Sequence, residues 1–170
     1  MHPGESEQGV DGTRHTVVPR VLCFLRYGEE VLLLRGAPDK RRWAGRYNGI
    51  GGHVERGEDP LQAARREVRE ETGLEVVDLC LAGIVHVALS QGPGVLLFVF
   101  TGEARSRQVR PSGEGTLEWV LPEAVERLPV VEDLPVLLPR VLAVAAGAPP
   151  FFARSYYDAE GRLRVEFSCP

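Results

Sequence analysis

Three glutamates, Glu67, Glu70 and Glu71, occur within five residues near the middle of the chain. If this segment is helical, their spacing puts the three carboxylates on one face. Like charges so placed destabilise a helix by roughly 0.2–0.5 kcal/mol per pair, and the helix dipole disfavours carboxylates near a carboxy terminus. Carboxylates also bind Mg²⁺, together with substrate phosphates. The pattern therefore indicates either a divalent-cation site or a solvated acidic face relieved by Arg66.

The segment around these glutamates has well-defined helix boundaries. Asp59 is a favourable N-cap residue, and Pro60 suits the first helical position. Gly73 suits the left-handed conformation in which many helices end. We therefore predict a helix that begins at Pro60 and ends before Gly73.

The faces of this predicted helix differ in character. Leu61 and Val68 form an apolar stripe that should pack on the core. Ala63 and Ala64 share the acidic face one turn earlier, where their small side chains should leave room for a bulky ligand. The helix is thus expected to join a core to a binding site.

The remaining elements are predicted from hydrophobic periodicity and turn residues. Strands are expected at 16–26, 31–35, 50–55, 75–89, 94–104 and 116–120, and two strand-like runs within 151–167 form a carboxy-terminal hairpin. A short helix is expected at 122–128 and an apolar one at 133–147, which the internal Pro139 should kink or delay. This pattern predicts an α+β fold, a mixed sheet with helices packed on it.

Length and composition limit the classes of protein to which the chain can belong. Its 170 residues suit one domain, which we place at 16–170 after a disordered leader at 1–15. The net charge of −4 gives no sign of a stable nucleic-acid or membrane partner. No signal-like or long apolar segment occurs, so a cytoplasmic location is expected. Cys23 and Cys80 are expected to be buried thiols, and Cys169 to lie in a frayed end.

Nine residues around the glutamates have the spacing of a known motif, G-x5-E-x7-R-E-U-x-E-E-x-G-U, in which U is apolar. They are Gly52, Glu58, Arg66, Glu67, Val68, Glu70, Glu71, Gly73 and Leu74. This segment resembles the Nudix box at every defined position. The resemblance implies an α/β/α sandwich, with the Nudix helix on one side of the mixed sheet and a second helix on the other.

The same resemblance implies hydrolysis of a nucleoside diphosphate linked to another group, with Mg²⁺ or Mn²⁺ as cofactor. It implies that the metal is held by five residues: Gly52, Glu58, Glu67, Glu70 and Glu71. Glu67, Glu70 and Glu71 would thereby carry catalysis, and Arg66 would orient the metal ligands by pairing with a neighbouring carboxylate. Under this interpretation the mutual repulsion of the glutamates is tolerated because a metal that arrives with the substrate neutralises their charges.

The stretch WAGRYNGIGGHVE before the helix resembles the MutT-like branch of this family, which includes an enzyme that removes oxidised purine nucleotides such as 8-oxo-dGTP. Asn48 matches an asparagine that contacts the base in that branch. Tyr47 and His53 depart from the branch pattern, which has tryptophan and lysine there. Asn48 is therefore either a base contact or a turn residue before Gly49.

Two acidic sites farther along the chain also resemble that branch. Glu114 precedes Trp119 by five residues, which makes it a candidate general base or metal ligand, or else an exposed loop residue. Trp119 is expected in the core. Glu132 and Asp133 would read a purine edge, or Asp133 would only cap the next helix. The aromatic residue expected just before this pair is absent, so base stacking is weaker or supplied elsewhere.

A cluster of cations could steer a polyanionic substrate or could form a solvated loop. It comprises Arg35, Lys40, Arg41, Arg42 and Arg46. Arg35 is the expected phosphate contact, whereas the others are expected to be mostly solvated. The aromatic residues of the closing hairpin are expected to pack rather than to contact substrate.

Three functions follow from these observations. The first is hydrolysis of nucleoside triphosphates, with oxidised purine forms among them, to a monophosphate and pyrophosphate. The second keeps this chemistry on ADP-ribose, a sugar nucleotide, a dinucleoside polyphosphate or an RNA 5′ end; the proline or tyrosine that marks two such branches is missing from residues 88–91. The third is a non-catalytic regulatory module, which the complete set of box carboxylates disfavours. The partner expected is a nucleotide, and the protein itself a monomer or a homodimer formed through the exposed edge of the hairpin.

Overall fold

A computed structural model describes residues 9, 14–40, 43–76, 78–110 and 112–168. Eight strands are present in this part of the chain: β1 Val17–Tyr27, β2 Glu30–Gly36, β3 Tyr47–Asn48, β4 Cys80–Val87, β5 Gly94–Glu103, β6 Gly115–Val120, β7 Phe151–Tyr157 and β8 Leu163–Phe167. Two α-helices are present, α1 Pro60–Thr72 and α2 Leu134–Leu142, together with a 3₁₀ helix at Pro122–Arg127.

The strands form one mixed sheet in the order β3-β2-β1-β5-β4-β7-β8, with β6 also paired to β2. The central pair β1 and β5 is parallel, as is the pair β4 and β7, and the remaining pairs are antiparallel. The predicted hairpins at the two ends of the chain are confirmed. The second one joins the sheet through the parallel pairing of β7 with β4 and so extends it.

The sheet has an apolar layer on each face because inward side chains alternate along the central strands. In β1, Val21 and Cys23 belong to one buried cluster, and Leu22 and Phe24 belong to the other. Helix α1 packs in the first cluster through Ala64 and Val68, among others, and α2 packs in the second. The predicted α+β sandwich, with one helix on each side of the sheet, is confirmed.

Helix α1 has the predicted boundaries. The Asp59 carboxylate accepts hydrogen bonds from the backbone N–H groups of Leu61 and Gln62, and the Gln62 side chain accepts one from the Asp59 N–H. Gly73 ends the helix with φ 70°, and its N–H donates to the Arg69 carbonyl. Each end therefore has its own local signal in the sequence.

Several predictions differ from the structure. Residues 50–55 form no strand, since Ile50 and His53 each make only an isolated bridge to β1. Helix α2 ends at Leu142 and includes Pro139, which neither delays its start nor ends it. Cys80 is exposed, whereas Cys23 is buried as predicted. Ala63 and Ala64 are buried in the core with α1, so they leave no room for a ligand.

The leader prediction falls mostly on residues 1–8 and 10–13, outside the described part of the chain, as does Cys169. Among the described residues, no helix is both long enough and apolar enough to cross a membrane.

Candidate active site

Helix α1 presents its three glutamates in three different environments. Glu70 is exposed, Glu67 is half-buried and Glu71 is buried, with 7% of its surface accessible. Among the described residues, none donates a hydrogen bond to the Glu71 Oε2 atom. Burial, followed by the charge of Glu67, raises the pKa of Glu71 to about 8. Glu71 is thus an acid whose ionised form lacks a cationic or donor partner at one oxygen.

Arg66 connects the other carboxylates of the motif. Its guanidinium donates to Glu58 at 2.7 Å, to Glu67 at 2.7 Å and to Glu70 at 3.3 Å. A further bond of 3.0 Å reaches the His53 carbonyl. The hydrogen bond from Arg66 also lowers the pKa of Glu58. One cation therefore holds three carboxylates and ties the helix to the loop before it.

That loop approaches the helix closely at Gly51 and Gly52. A β-carbon at Gly52 would collide with the carboxylate of Glu67, and one at Gly51 would collide with the Val21 carbonyl. The Gly52 carbonyl accepts a hydrogen bond of 2.9 Å from the Val21 N–H, which leaves its second lone pair available. Glycine is needed at both positions because a β-carbon would collide with these neighbours, and not because of the backbone conformation.

The chemistry of these donors fits a hard divalent cation: several carboxylates, a free carbonyl lone pair and a buried carboxylate oxygen without a partner. Across the described ranges, no three His, Cys, Asp or Glu side chains are already grouped as a metal site. Glu58, Glu67 and Glu70 contact Arg66 instead.

A cavity of about 610 Å³ adjoins this end of the helix. Its wall includes Glu71 and Gly51 near the motif and Leu22, Val87 and Leu97 from the sheet. This volume falls in the range of small-molecule sites, which combine apolar walls with a few polar groups. The buried acid of α1 therefore faces a space large enough for a small organic ligand.

Asn48, Glu132 and Asp133 all line the same cavity. The Asn48 Oδ1 atom accepts from the Gly49 N–H at 2.8 Å, and Glu132 accepts from the Tyr157 hydroxyl at 2.7 Å. Asp133 occupies the N-cap position of α2, but its side chain makes no capping hydrogen bond. Burial raises the pKa of Asp133 above its ordinary value, with a further contribution from Glu132. Three residues far apart in sequence thus form one polar part of the wall.

Glu114 also lines the cavity, and its carboxylate is 2.7 Å from the Lys40 ammonium. Both side chains are partly solvated, so the pair contributes little to stability. Trp119 packs against the core and donates through its indole N–H to the Arg107 carbonyl. Trp119 is therefore half-buried at the edge of the core, and it is not among the residues that line the cavity.

The Nudix domain model matches residues 16–141, which is most of the chain. The chain belongs to the Nudix family. It is therefore a hydrolase that acts on phosphorus anhydrides, and proteins of this family generally use divalent cations.

Relatives of this Nudix hydrolase include an uncharacterized Nudix hydrolase, YvcI, from Bacillus subtilis. The two are 30% identical over 113 residues, which is 64% of this chain and 68% of the relative. The NAD-capped RNA hydrolase NudC of Pseudomonas aeruginosa is 32% identical over 118 residues, 68% of this chain. Since that match covers 40% of the NudC length, the chain spans less than half of this relative.

Among solved structures, the MutT protein from Bacillus halodurans has a TM-score of 0.74 and 25% identity to this chain. The match covers 89% of this chain and 97% of the MutT protein.

Arg35 lies away from the described cavity wall of this Nudix hydrolase. Its guanidinium is 5.7 Å from the centre of the Tyr47 ring, and its Nε donates to the Gly45 carbonyl at 3.3 Å. Lys40 and Arg46 do line the cavity, and Arg41 and Arg42 fall outside the described residues. The geometry thus favours Lys40 and Arg46 over Arg35 as contacts for an anion.

Several residues of the cavity wall are not predicted from the sequence. Trp43 lines the cavity with φ 59°, a left-handed conformation that is rare for a large residue, and its ring lies 5.5 Å from the Arg20 guanidinium. Ser155, Tyr157 and Leu163 of the final hairpin line it too. The strained Trp43 backbone has no signal in the sequence. The aromatic pattern of the hairpin is visible in the sequence, but it predicts packing rather than a place in the cavity wall.

Proposed function

We propose that this Nudix hydrolase cleaves nucleoside triphosphates to a monophosphate and pyrophosphate, with purine nucleotides, including oxidised forms such as 8-oxo-dGTP, as its substrates. One observation carries the proposal. The cavity that Glu71 lines is also lined by Asn48, Glu132 and Asp133, which offer hydrogen bonds to a base edge. A nucleotide with its phosphate chain near Glu71 and its base near Asn48, Glu132 and Asp133 would fill such a site.

In this proposal Glu67, Glu70 and Glu71 are metal ligands, helped by the Gly52 carbonyl, and Glu58 supports them. A bound divalent cation supplies charge neutralisation of the phosphates and a lower pKa for the attacking water. Glu67 and Glu70 would hold the cation, and Arg66 would remain paired with Glu58. Arg66 relieves the Coulomb repulsion among the three carboxylates around it, so they stay ionised and ready to bind a cation when the substrate arrives.

The remaining residues bind and orient the substrate. Lys40 and Arg46 attract the phosphates, and Glu114 is the candidate general base or a further metal ligand. Water attacks the α-phosphorus and gives its proton to the general base, the bond from that phosphorus to the bridging oxygen breaks, and pyrophosphate leaves with the bridging oxygen. In-line displacement of this kind depends mainly on positioning and charge stabilisation. Trp43 supplies an aromatic surface that replaces the stacking residue missing before Glu132.

A second function is favoured by one relative. The NudC protein is named as an NAD-capped RNA hydrolase and aligns over 68% of this chain. A nucleoside diphosphate derivative such as NAD or ADP-ribose presents the same anhydride bond to the same carboxylates. Its second nucleoside or sugar would need room beyond the base and phosphates.

The deciding experiment is a product screen with purified protein. Nucleoside triphosphates, 8-oxo-dGTP, ADP-ribose, NAD and NAD-capped RNA are each incubated with Mg²⁺ or Mn²⁺, and products are identified by mass spectrometry in ¹⁸O-labelled water. We expect nucleoside monophosphate and pyrophosphate from a triphosphate, with one labelled oxygen incorporated. Preferred cleavage of NAD or ADP-ribose would replace the first proposal with the second.

The monomeric or homodimeric state and the cytoplasmic location stay predictions. Sedimentation of the purified protein tests the first, and fractionation of the source cells tests the second.

A further inference from the structure

The carboxy-terminal hairpin, β7 and β8, lies beyond residue 141, where the Nudix domain match ends. It is nevertheless part of the fold, because β7 pairs with β4 and buries Phe151 and Ala153 in the core. The hairpin is therefore fixed to the sheet next to the cavity rather than attached as a loose extension.

One face of this hairpin belongs to the cavity wall. Ser155 and Tyr157 are two residues apart in β7, so their side chains lie on the same face of the strand. Leu163 is the register partner of Tyr157 in β8. All three line the cavity. Tyr156, between the first two, is not among the lining residues, and its hydroxyl donates to Glu166 on the neighbouring strand at 2.6 Å.

Tyr157 makes the direct connection to the acidic pair before α2. Its hydroxyl donates to Oε2 of Glu132 at 2.7 Å. Tyr157 as a whole residue is 57% exposed, so its hydroxyl is held mainly by this hydrogen bond rather than by packing of the side chain. Glu132 is an acceptor with two oxygens, and the bond from Tyr157 leaves Oε1 available to accept from another donor.

We propose that Tyr157 is a specificity-determining positioning residue, which orients the Glu132 carboxylate so that its free oxygen selects bases with a donor N–H edge. The inference rests on the proposed function, since it assigns the base to this part of the cavity. A carboxylate cannot donate, so a base that presents only acceptors there is rejected. The hairpin, outside the matched domain, would thus set the base preference.

The physical reason is preorganisation. An exposed glutamate has several rotamers, and binding a base must select one of them at an entropic cost. The Tyr157 hydroxyl selects a rotamer in advance and makes the carboxylate accept a second bond from a fixed direction. Once a base covers the pair and excludes water, the bond becomes stronger because the local dielectric falls.

The experiment compares Tyr157→Phe with the matched control Tyr156→Phe. Each removes one hydroxyl from β7 that bonds a glutamate, but only the first faces the cavity. The kcat and KM values for dATP, dGTP, dCTP and dTTP are measured with Mg²⁺, and the affinities for the four monophosphates are measured by calorimetry. Glu132→Gln is the second variant, because its amide N–H can donate where the carboxylate only accepts.

For Tyr157→Phe we expect a rise of about three- to tenfold in KM for the preferred nucleotide, little change in kcat, and a reduced preference among the four bases. Tyr156→Phe should match wild type. Glu132→Gln should change the order of base preference rather than merely reduce it. A variant that is only less stable would lower the active fraction for all four nucleotides equally.

The outcomes separate this inference from the proposed function. If wild type hydrolyses triphosphates but Tyr157→Phe keeps every preference ratio, the inference is wrong and the proposed function stands. If no triphosphate is cleaved, the proposed function fails, and the monophosphate affinities still decide the role of Tyr157. Equal affinities in wild type and Tyr157→Phe, or no monophosphate binding at all, overturn it.

Discussion

The two parts of the cavity are built differently. Near the motif, Glu71 is buried and Glu67 is pressed against Gly52, and Arg66 fixes the neighbouring acids from one helix and the loop before it. At the other part, Asn48, Glu132 and Tyr157 come from separate strands and loops. Glu132 and Tyr157 are solvent-exposed side chains joined by a single hydrogen bond. A packed, local motif holds the proposed chemistry, and separate surface residues hold the proposed specificity.

This difference implies unequal tolerance to substitution. Substitutions in the motif should reduce turnover, because each residue there makes several contacts and the surrounding packed side chains cannot rearrange to replace them. Changes at the other part should mainly alter which nucleotide is preferred, since each residue there makes few contacts.

The largest effect is expected at two of the proposed metal ligands, the buried Glu71 and the exposed Glu70. Glu71→Gln and Glu70→Gln keep side-chain size but remove a charged ligand, and we expect kcat to fall by about a hundredfold or more. The measurement is pyrophosphate release from a nucleoside triphosphate under saturating Mg²⁺. Near-normal Mg²⁺-dependent turnover in both variants would reject the metal-site assignment and remove the distinction between the two parts.

The next effect tests the close approach of the loop. Gly52→Ala forces a methyl group onto the Glu67 carboxylate, and we expect a loss of about 1–3 kcal/mol in the free energy of unfolding, together with reduced turnover. Urea denaturation measures the free energy of unfolding, and pyrophosphate release measures turnover. Gly113→Ala is the control, because a β-carbon at Gly113 meets nothing within 4 Å and should leave the unfolding midpoint nearly unchanged.

A pH titration tests the environment of Glu71 in the metal-free protein. The folded-state pKa of about 8 exceeds the ordinary value of 4.5, so the folded protein holds a proton that the unfolded chain has released. This group's contribution is therefore complete below pH 4.5, falls as the pH rises through 8, and is lost above it.

Glu71→Gln does not titrate, so its free energy of unfolding should increasingly exceed that of wild type across this interval. We expect an advantage of about 1–3 kcal/mol at alkaline pH, measured by urea denaturation in EDTA. A difference between variant and wild type that does not depend on pH would show that Glu71 is ionised and satisfied in the folded protein.

The smallest effect on stability is expected at the exposed ion pair of the cavity rim. Lys40→Ala breaks the contact with Glu114, and because both side chains are partly solvated, we expect a change of about 0–1 kcal/mol in the free energy of unfolding. The KM for a nucleoside triphosphate should nevertheless rise in low salt and approach the wild-type value in high salt. A loss of stability in Lys40→Ala comparable to that of Gly52→Ala would contradict the proposed difference between the packed motif and the exposed cavity rim.

The sequence by itself determined the helix and the glutamate spacing in the part of the site near the motif. Asp59, Pro60 and Gly73 specify the ends of α1 through local capping, and the i, i+3, i+4 spacing of the glutamates follows from helix geometry alone. The nine-residue pattern also identified the family, which the domain match confirms. These features depend on neighbours within a few residues, so a linear pattern is enough to reveal them.

The tertiary structure alone decided which residues share the cavity and how deeply each is buried. Glu71 is buried beside an exposed Glu70, and Ala63 and Ala64 face the core rather than a ligand, because the sheet covers one side of the acidic face. Trp43 and Tyr157 meet Asn48 and Glu132 at the cavity only through the order of strands in the sheet. Spacing along the chain fixes the local geometry of a helix, but contacts between distant segments depend on the packing of the whole domain.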